Sequence, residues 1–202
     1  MRKITLLSLT VIFIASCKIK VDKNQHPESF ATNYVDPFIG TGGHGHTYPG
    51  ATVPFGMLQV SPDNGISSWD WCSGYHYSDS IVSGFSHLHL SGTGIGDLAD
   101  ILFMPTNKKI DLTLKTTSRD QLPYKSFYSH VNEKAAPGSY QVFLEDPKIN
   151  VELTSSQRTA YHKYTFAKND KQSVVIDLGF AINWDKALKT EIKIEDQYTI
   201  SG

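Results

Sequence analysis

Cysteine is nearly missing from this chain, which has two in 202 residues, Cys17 and Cys72. Cys17 falls in the N-terminal leader, so Cys72 is the one thiol left to the folded part, and no internal disulfide framework is possible. A zinc site built on paired cysteines is excluded for the same reason. Cys72 reads as a small buried filler beside the tryptophans. Charge of one sign is not in excess either: 19 basic residues stand against 20 acidic ones, a formal −1. That balance offers no electrostatic footprint for nucleic acid. Internal repeats and low-complexity tracts are missing, and helical periodicity is nearly absent from Tyr34 onward. What remains is 40% hydrophobic and 11% aromatic residues, enough for the core of one domain.

The longest early apolar run, residues 4–14, is too short to span a bilayer. Arg2 and Lys3 precede it, and Ile14-Ala15-Ser16-Cys17 follows. The pattern resembles a bacterial lipoprotein signal, with cleavage before Cys17 and lipid attached to that residue. The alternative is a plain secretory signal with an incidental cysteine. Residues 1–16 are therefore expected to be removed, and 17–33, polar and carrying Pro27, to tether the domain to the membrane. Loss of Arg2 and Lys3 leaves 17 basic against 20 acidic residues, a formal −3. The expected location is the bacterial cell envelope, periplasmic or surface-exposed.

Period-two alternation marks the strands. Tyr140, Val142 and Leu144 alternate with Gln141, Phe143 and Glu145; Ile149, Val151 and Leu153 alternate with Asn150, Glu152 and Thr154. Ile110, Leu112 and Leu114 repeat the pattern. Residues 159–166 and 173–178 add two strands around an Asn169-Asp170 turn, the second apolar enough for burial on both faces. Residues 192–200 suggest a strand pair about Asp196, and 183–189 one helical turn. Many short strands between Gly, Pro and Asn turns predict an all-β antiparallel β-sandwich over residues 34–202.

Residues 34–105 hold five of the eight histidines, the Trp69-Asp70-Trp71 pair and most of the glycines. Gly40-Thr41-Gly42-Gly43-His44-Gly45 fits G-x-G-x-x-G by letter, but Tyr48-Pro49-Gly50 follows where a dinucleotide site needs a helix. The glycines instead suit a sharply turning loop. Ser91-Gly92-Thr93-Gly94-Ile95-Gly96-Asp97 lacks the lysine of a phosphate loop, and Asp97 would repel phosphate. On a strand, His87 and His89 share one face and Leu88 and Leu90 the other, so the leucines are expected in the core and both imidazoles on a polar surface. Metal binding with Asp97 and Asp100, or bracing of the glycine-rich turns by imidazole–backbone hydrogen bonds, are both open. Trp69 and Trp71, on one strand face with Tyr75, His76 and Tyr77 close behind, make the aromatic–polar mixture that a saccharide requires. One tryptophan of the pair is expected to fill the core.

These words occur together and in order: Asp36-Pro37-Phe38-Ile39-Gly40-Thr41, Tyr48-Pro49-Gly50-Ala51, Val53-Pro54-Phe55-Gly56-Met57, Trp69-Asp70-Trp71-Cys72-Ser73-Gly74-Tyr75, residues 84–94, and Asp97-Leu98-Ala99-Asp100-Ile101-Leu102. The segment resembles the N-terminal domain of glycoside hydrolase family 92, the calcium-dependent exo-α-mannosidases. The resemblance implies a supersandwich-like domain of a two-domain glycosidase, incomplete at its C-terminus, that hydrolyses terminal α-mannosides with inversion. It implies calcium for the full-length enzyme, and a helical barrel of the same protein that carries the acid, the base and the calcium ligands. The resemblance maps none of those onto this sequence, and Asp70, Asp97 and Asp100 are carboxylates without a role. The candidate sugar-contacting residues are Trp69, Trp71, Tyr75, His76, His87, His89, Ser91, Thr93 and Asp97, with Trp69 favoured over Trp71 for reaching the pocket. The expected partners are α-mannoside glycans, the helical domain and, through lipid on Cys17, a membrane. The rival reading is a non-catalytic carbohydrate-binding β-sandwich lipoprotein; a metal-dependent hydrolase using His87 and His89 is a third.

Overall fold

The structure, a computed structural model, describes residues 31–202 except 112, 114, 115, 117, 169, 170 and 183–186. The leader, Cys17 and most of the tether lie outside the described residues. So do the Asn169-Asp170 turn, the centre of the strand expected about Leu112, and the first half of the helical turn expected at 183–189.

Thirteen strands follow in order: β1 (Ala51–Thr52), β2 (Gln59–Asp63), β3 (Ile81–Val82), β4 (Gly84–Ser86), β5 (Leu102–Thr106), β6 (Ser126–Phe127), β7 (Glu133–Ala136), β8 (Ser139–Leu144), β9 (Ile149–Ser155), β10 (Ala160–Thr165), β11 (Ser173–Asp177), β12 (Lys193–Ile194) and β13 (Ile200–Ser201). All pairings are antiparallel. One sheet runs β1-β2-β4-β5-β11 and the other β10-β9-β8-β7; β3-β6 and β12-β13 are two-stranded. Among the described residues there is no α-helix. The expected antiparallel all-β fold is therefore what forms.

The period-two residues build the core. Tyr140, Val142 and Leu144 of β8 stand opposite Leu153, Val151 and Ile149 of β9, and all six are buried. Their inward face packs into one cluster with Ala51, Val60, Phe85, Leu102 and Met104 of the five-stranded sheet. Each buried Val, Leu, Ile, Phe or Met among them stabilises by about 1.5–3 kcal/mol relative to exposure. The strand pair about Asp196 forms as expected, with Ile194 opposite Ile200 and Asp196 accepting from Tyr198 N–H.

Burial of β11 on both faces does not hold. It is the edge of its sheet, paired with β5 alone among the described residues, and Val174 is 43% exposed. An edge strand has neighbours on one side only, so apolar composition does not bury it. Cys72 is buried, as expected of a filler.

Candidate functional site

Three loops above the five-stranded sheet meet around Trp69. The first is the glycine-rich turn before β1. Gly45 closes so tightly on Gly40 that a Cβ there would lie 2.0 Å from the Gly40 carbonyl oxygen, and Thr47 N–H donates back to that carbonyl. The second is a 3-10 turn, Trp69–Trp71, and the third is the 91–97 excursion between β4 and β5. Gly92 N–H donates to His46 C=O at 2.6 Å, and Trp69 Nε1–H donates to Gly94 C=O at 2.6 Å. Gly94 sits at φ +66 with a would-be Cβ 3.0 Å from the Trp69 ring, so a side chain there would push that ring away.

Trp69 is 61% exposed, its ring fixed by that carbonyl and edge-on to His46 at 4.3 Å. Trp71 points elsewhere. Its ring stacks on His76 at 4.1 Å, and its Nε1–H donates to Asp79 Oδ2 at 2.6 Å, a carboxylate also held by Arg119. The shared strand face is therefore corrected: a 3-10 turn, not a strand, carries the pair, and three residues per turn splay the rings apart. Neither tryptophan is in the core.

Tyr75 cannot touch a surface ligand. It is fully buried, and its hydroxyl donates to Glu133 Oε2, while Tyr140 donates to Oε1 of the same carboxylate at 2.5 Å. Burial pushes the Tyr75 phenol well above its ordinary pKa. His76 is buried too, its Nε2 3.2 Å from Gly43 C=O and its Nδ1 2.8 Å from Ser78 Oγ.

The two-faced strand expected at 87–90 does not form. β4 ends at Ser86, and the excursion that follows uses left-handed backbone at Leu98, Ala99 and Ile101, joined to itself by a bridge between His89 and Leu98. Such backbone is costly for non-glycine residues and breaks strand alternation. Leu88 and Leu90 are half-buried, and His89 turns inward instead. Its Nε2 lies 3.0 Å from Asp63 Oδ1, with both side chains 0% exposed, and its Nδ1–H donates to Gln59 C=O. Asp63 Oδ2 also accepts from Ser86 N–H.

His87 turns the other way. Its Nδ1 faces the Ile101 carbonyl at 2.8 Å, which can only accept, so Nδ1 carries the proton and Nε2 is an acceptor. His162 Nε2, 3.1 Å away, therefore donates to it, and His162 Nδ1 accepts from Tyr164 O–H at 2.7 Å. Burial, then the neighbouring His87, lowers His162 to about 3; burial also lowers His87. Both imidazoles of the His-x-His pair thus bond backbone carbonyls, the bracing arrangement, and they share neither a face nor a ligand set.

Ser91 and Thr93 are exposed near Trp69's carbonyl partner, whereas Asp97 is half-buried and accepts from Leu98 N–H. Of the residues that do converge, Asp70 was named from sequence only as a carboxylate without a role, and its two imidazole partners were not singled out. Asp70 Oδ1 is 2.7 Å from His44 Nδ1 and 3.0 Å from His46 Nε2. Those two hydrogen bonds, His44's first, hold the Asp70 carboxyl below its usual range. The signal was available: His44-Gly45-His46 has the same spacing as His87-Leu88-His89, but reads first as turn chemistry.

A model of the glycosyl hydrolase family 92 N-terminal domain matches residues 34–202. A family GH92 α-mannosidase from Bacteroides thetaiotaomicron, solved with mannoimidazole, is 43% identical with a TM-score of 0.69, over 75% of this chain and 20% of that one. A GH92 inverting mannosidase from Bacteroides thetaiotaomicron VPI-5482 is 30% identical with a TM-score of 0.55, over 72% and 19%. An uncharacterised secreted glycosidase from Arthroderma benhamiae is 29% identical over 150 residues, 72% of this chain and 19% of its own length. The chain spans about a fifth of the length of these relatives. With the match running through every strand and the whole aromatic rim, the chain belongs to glycosyl hydrolase family 92, whose N-terminal domain it carries.

Proposed function

We propose that residues 34–202 form the sugar-contacting wall of an α-mannosidase-type glycoside hydrolase, completed by a helical domain that carries the catalytic carboxylates. The carrying observation is the Trp69 ring, exposed yet held at its edge by the Gly94 carbonyl. A sugar's apolar C–H face stacks on such a ring, and the hydroxyls of Ser91 and Thr93 stand near its carbonyl partner. Relatives that are mannosidases favour a terminal α-mannoside as the ligand. Ile39, Phe55 and Met57 are also exposed, an apolar border suited to a covering partner surface.

Inversion needs an acid and a base on opposite sides of one glycosidic bond, roughly 6.5–9.5 Å apart. Asp70 is engaged by two imidazoles, and Asp97 by its own loop. The helical domain supplies both groups in this reading. Calcium takes six to eight oxygen donors. The group of potential metal ligands found among the described residues, His44, His46 and Asp70, offers two nitrogens and one oxygen. These residues do not fit calcium.

The test uses the chain as it stands. Titration with an α-linked mannobiose should quench tryptophan fluorescence weakly, and Trp69→Ala should abolish the response while leaving stability nearly unchanged. Trp71→Ala should instead destabilise by about 3 kcal/mol, since it loses packing and a hydrogen bond. No release from an aryl α-mannoside is expected, with or without calcium. Calcium-dependent release by this chain alone, or binding indifferent to Trp69, would overturn the reading.

The same reading starts the mature protein at acylated Cys17, in the cell envelope. Among the described residues no helix is long and apolar enough to cross a membrane. Labelled palmitate should be incorporated on expression in a bacterium, and Cys17→Ser should eliminate the label; persistent labelling in that variant sinks the anchor.

A further inference from the structure

We infer that His44, His46 and Asp70 form a binding site for a divalent transition cation of the zinc class. Their ligand atoms all lie within 4.8 Å of one another. Tetrahedral zinc with nitrogen and oxygen ligands at about 2.0–2.2 Å sets donors roughly 3.3 Å apart. The observed 2.7 and 3.0 Å separations from Asp70 Oδ1 need only a small opening of the cluster. Two imidazoles and one carboxylate suit zinc, cobalt or nickel, whereas calcium and magnesium call for oxygen throughout.

The surroundings hold the donors in place. His46 is 6% exposed at its side chain and adopts left-handed backbone at φ 56, an uncommon conformation for a non-glycine residue. That twist turns its ring between Trp69 and Asp70, with Gly94 leaving the room for it. Backbone strain of this kind gathers where a side chain must be aimed. His44 is 80% exposed, so the cluster opens to solvent on one side. Three protein ligands leave at least one coordination position there for water or a ligand oxygen. A bound cation would tie the glycine-rich loop to the tryptophan turn, fixing the base of the Trp69 ring. The site stands on its own geometry and does not depend on sugar binding.

Cobalt(II) is the probe, added to the purified full chain and read by visible absorption. The expected result is one equivalent bound with intense d–d bands of low coordination number, displaced by zinc and untouched by excess calcium. Thiolate charge-transfer bands in the near ultraviolet should be missing, because neither Cys17 nor Cys72 takes part. His44→Ala and Asp70→Asn should each weaken binding more than about 100-fold, beyond the effect of losing an outer-shell contact. His44 is exposed, so its variant should keep the parent near-ultraviolet circular dichroism, which separates ligand loss from unfolding. His162→Gln, which alters the other close imidazole pair, should leave binding unchanged. Absent stoichiometric binding, a thiolate band, insensitivity to His44→Ala and Asp70→Asn, or loss in His162→Gln would each overturn the site.

Discussion

Asp63→Ala and His89→Ala are each expected to lower the unfolding free energy by about 1–3 kcal/mol, because either leaves its buried polar partner without its hydrogen bond. The two side chains are both 0% exposed and meet at 3.0 Å. They serve as a hub for three elements: Asp63 Oδ2 accepts the Ser86 amide, His89 Nδ1 donates to Gln59 C=O, and Ser86 Oγ lies 3.2 Å from His89 Nε2. Gly74 packs against the pair so closely that a Cβ would sit 2.5 Å from Asp63 Oδ1. Domains are stable by only about 5–15 kcal/mol, so either loss removes a sizeable part of the margin. Urea unfolding of the two single variants and the double variant checks this. The double should cost clearly less than the sum, since the second deletion removes a group already orphaned. Strict additivity with single losses under about 1 kcal/mol would show that the pair is not a coupled unit.

Acid should unfold the domain through the His87–His162 pair. Both rings are held neutral in the folded state, His162 at about 3 through burial and then His87, and His87 lowered through burial. In the unfolded chain each returns to about 6.5. Between those values the unfolded state binds more protons, so stability rises with pH there. It is fully present above about pH 6.5 and is lost as pH falls toward 3. The largest slope from His162 is about 1.4 kcal/mol per pH unit, and its partial exposure reduces that through solvent screening. Urea midpoints at several pH values should fall more steeply for the parent than for His162→Gln, whose amide still reaches Tyr164 and His87 without titrating. Parallel profiles for the two proteins would remove the imidazole pair as the cause.

The alternation at β8 and β9 was legible because one buried face forces period two, and Tyr140 through Leu153 obey it residue by residue. Family words such as Asp36-Pro37-Phe38-Ile39-Gly40-Thr41 carried the rest of the fold assignment. The rim was less readable. Alternation sent His87 and His89 to one face, yet β4 stops at Ser86 and left-handed residues redirect the chain. Trp69 and Trp71 diverge because a 3-10 turn replaces the strand assumed for them. Asp70 meets His44 across 26 positions and His87 meets His162 across 75, contacts created by loop closure that local pattern does not encode. Tyr75 looked like part of an aromatic binding cluster, and only its partner Glu133, far along the chain, explains its burial.

The edge position of β11 bears on how the protein is made. The β8-β9-β10 meander joins neighbours in sequence and closes short loops, so it assembles at low entropic cost. β5 instead waits for β11, with Leu102 paired to Asp177 across the entire meander. During synthesis the outer ladder of β5 stays open until residues 173–177 leave the ribosome. The sheet that carries the Trp69 rim therefore closes after the meander, and its apolar Leu102 and Met104 face depends meanwhile on that meander for cover.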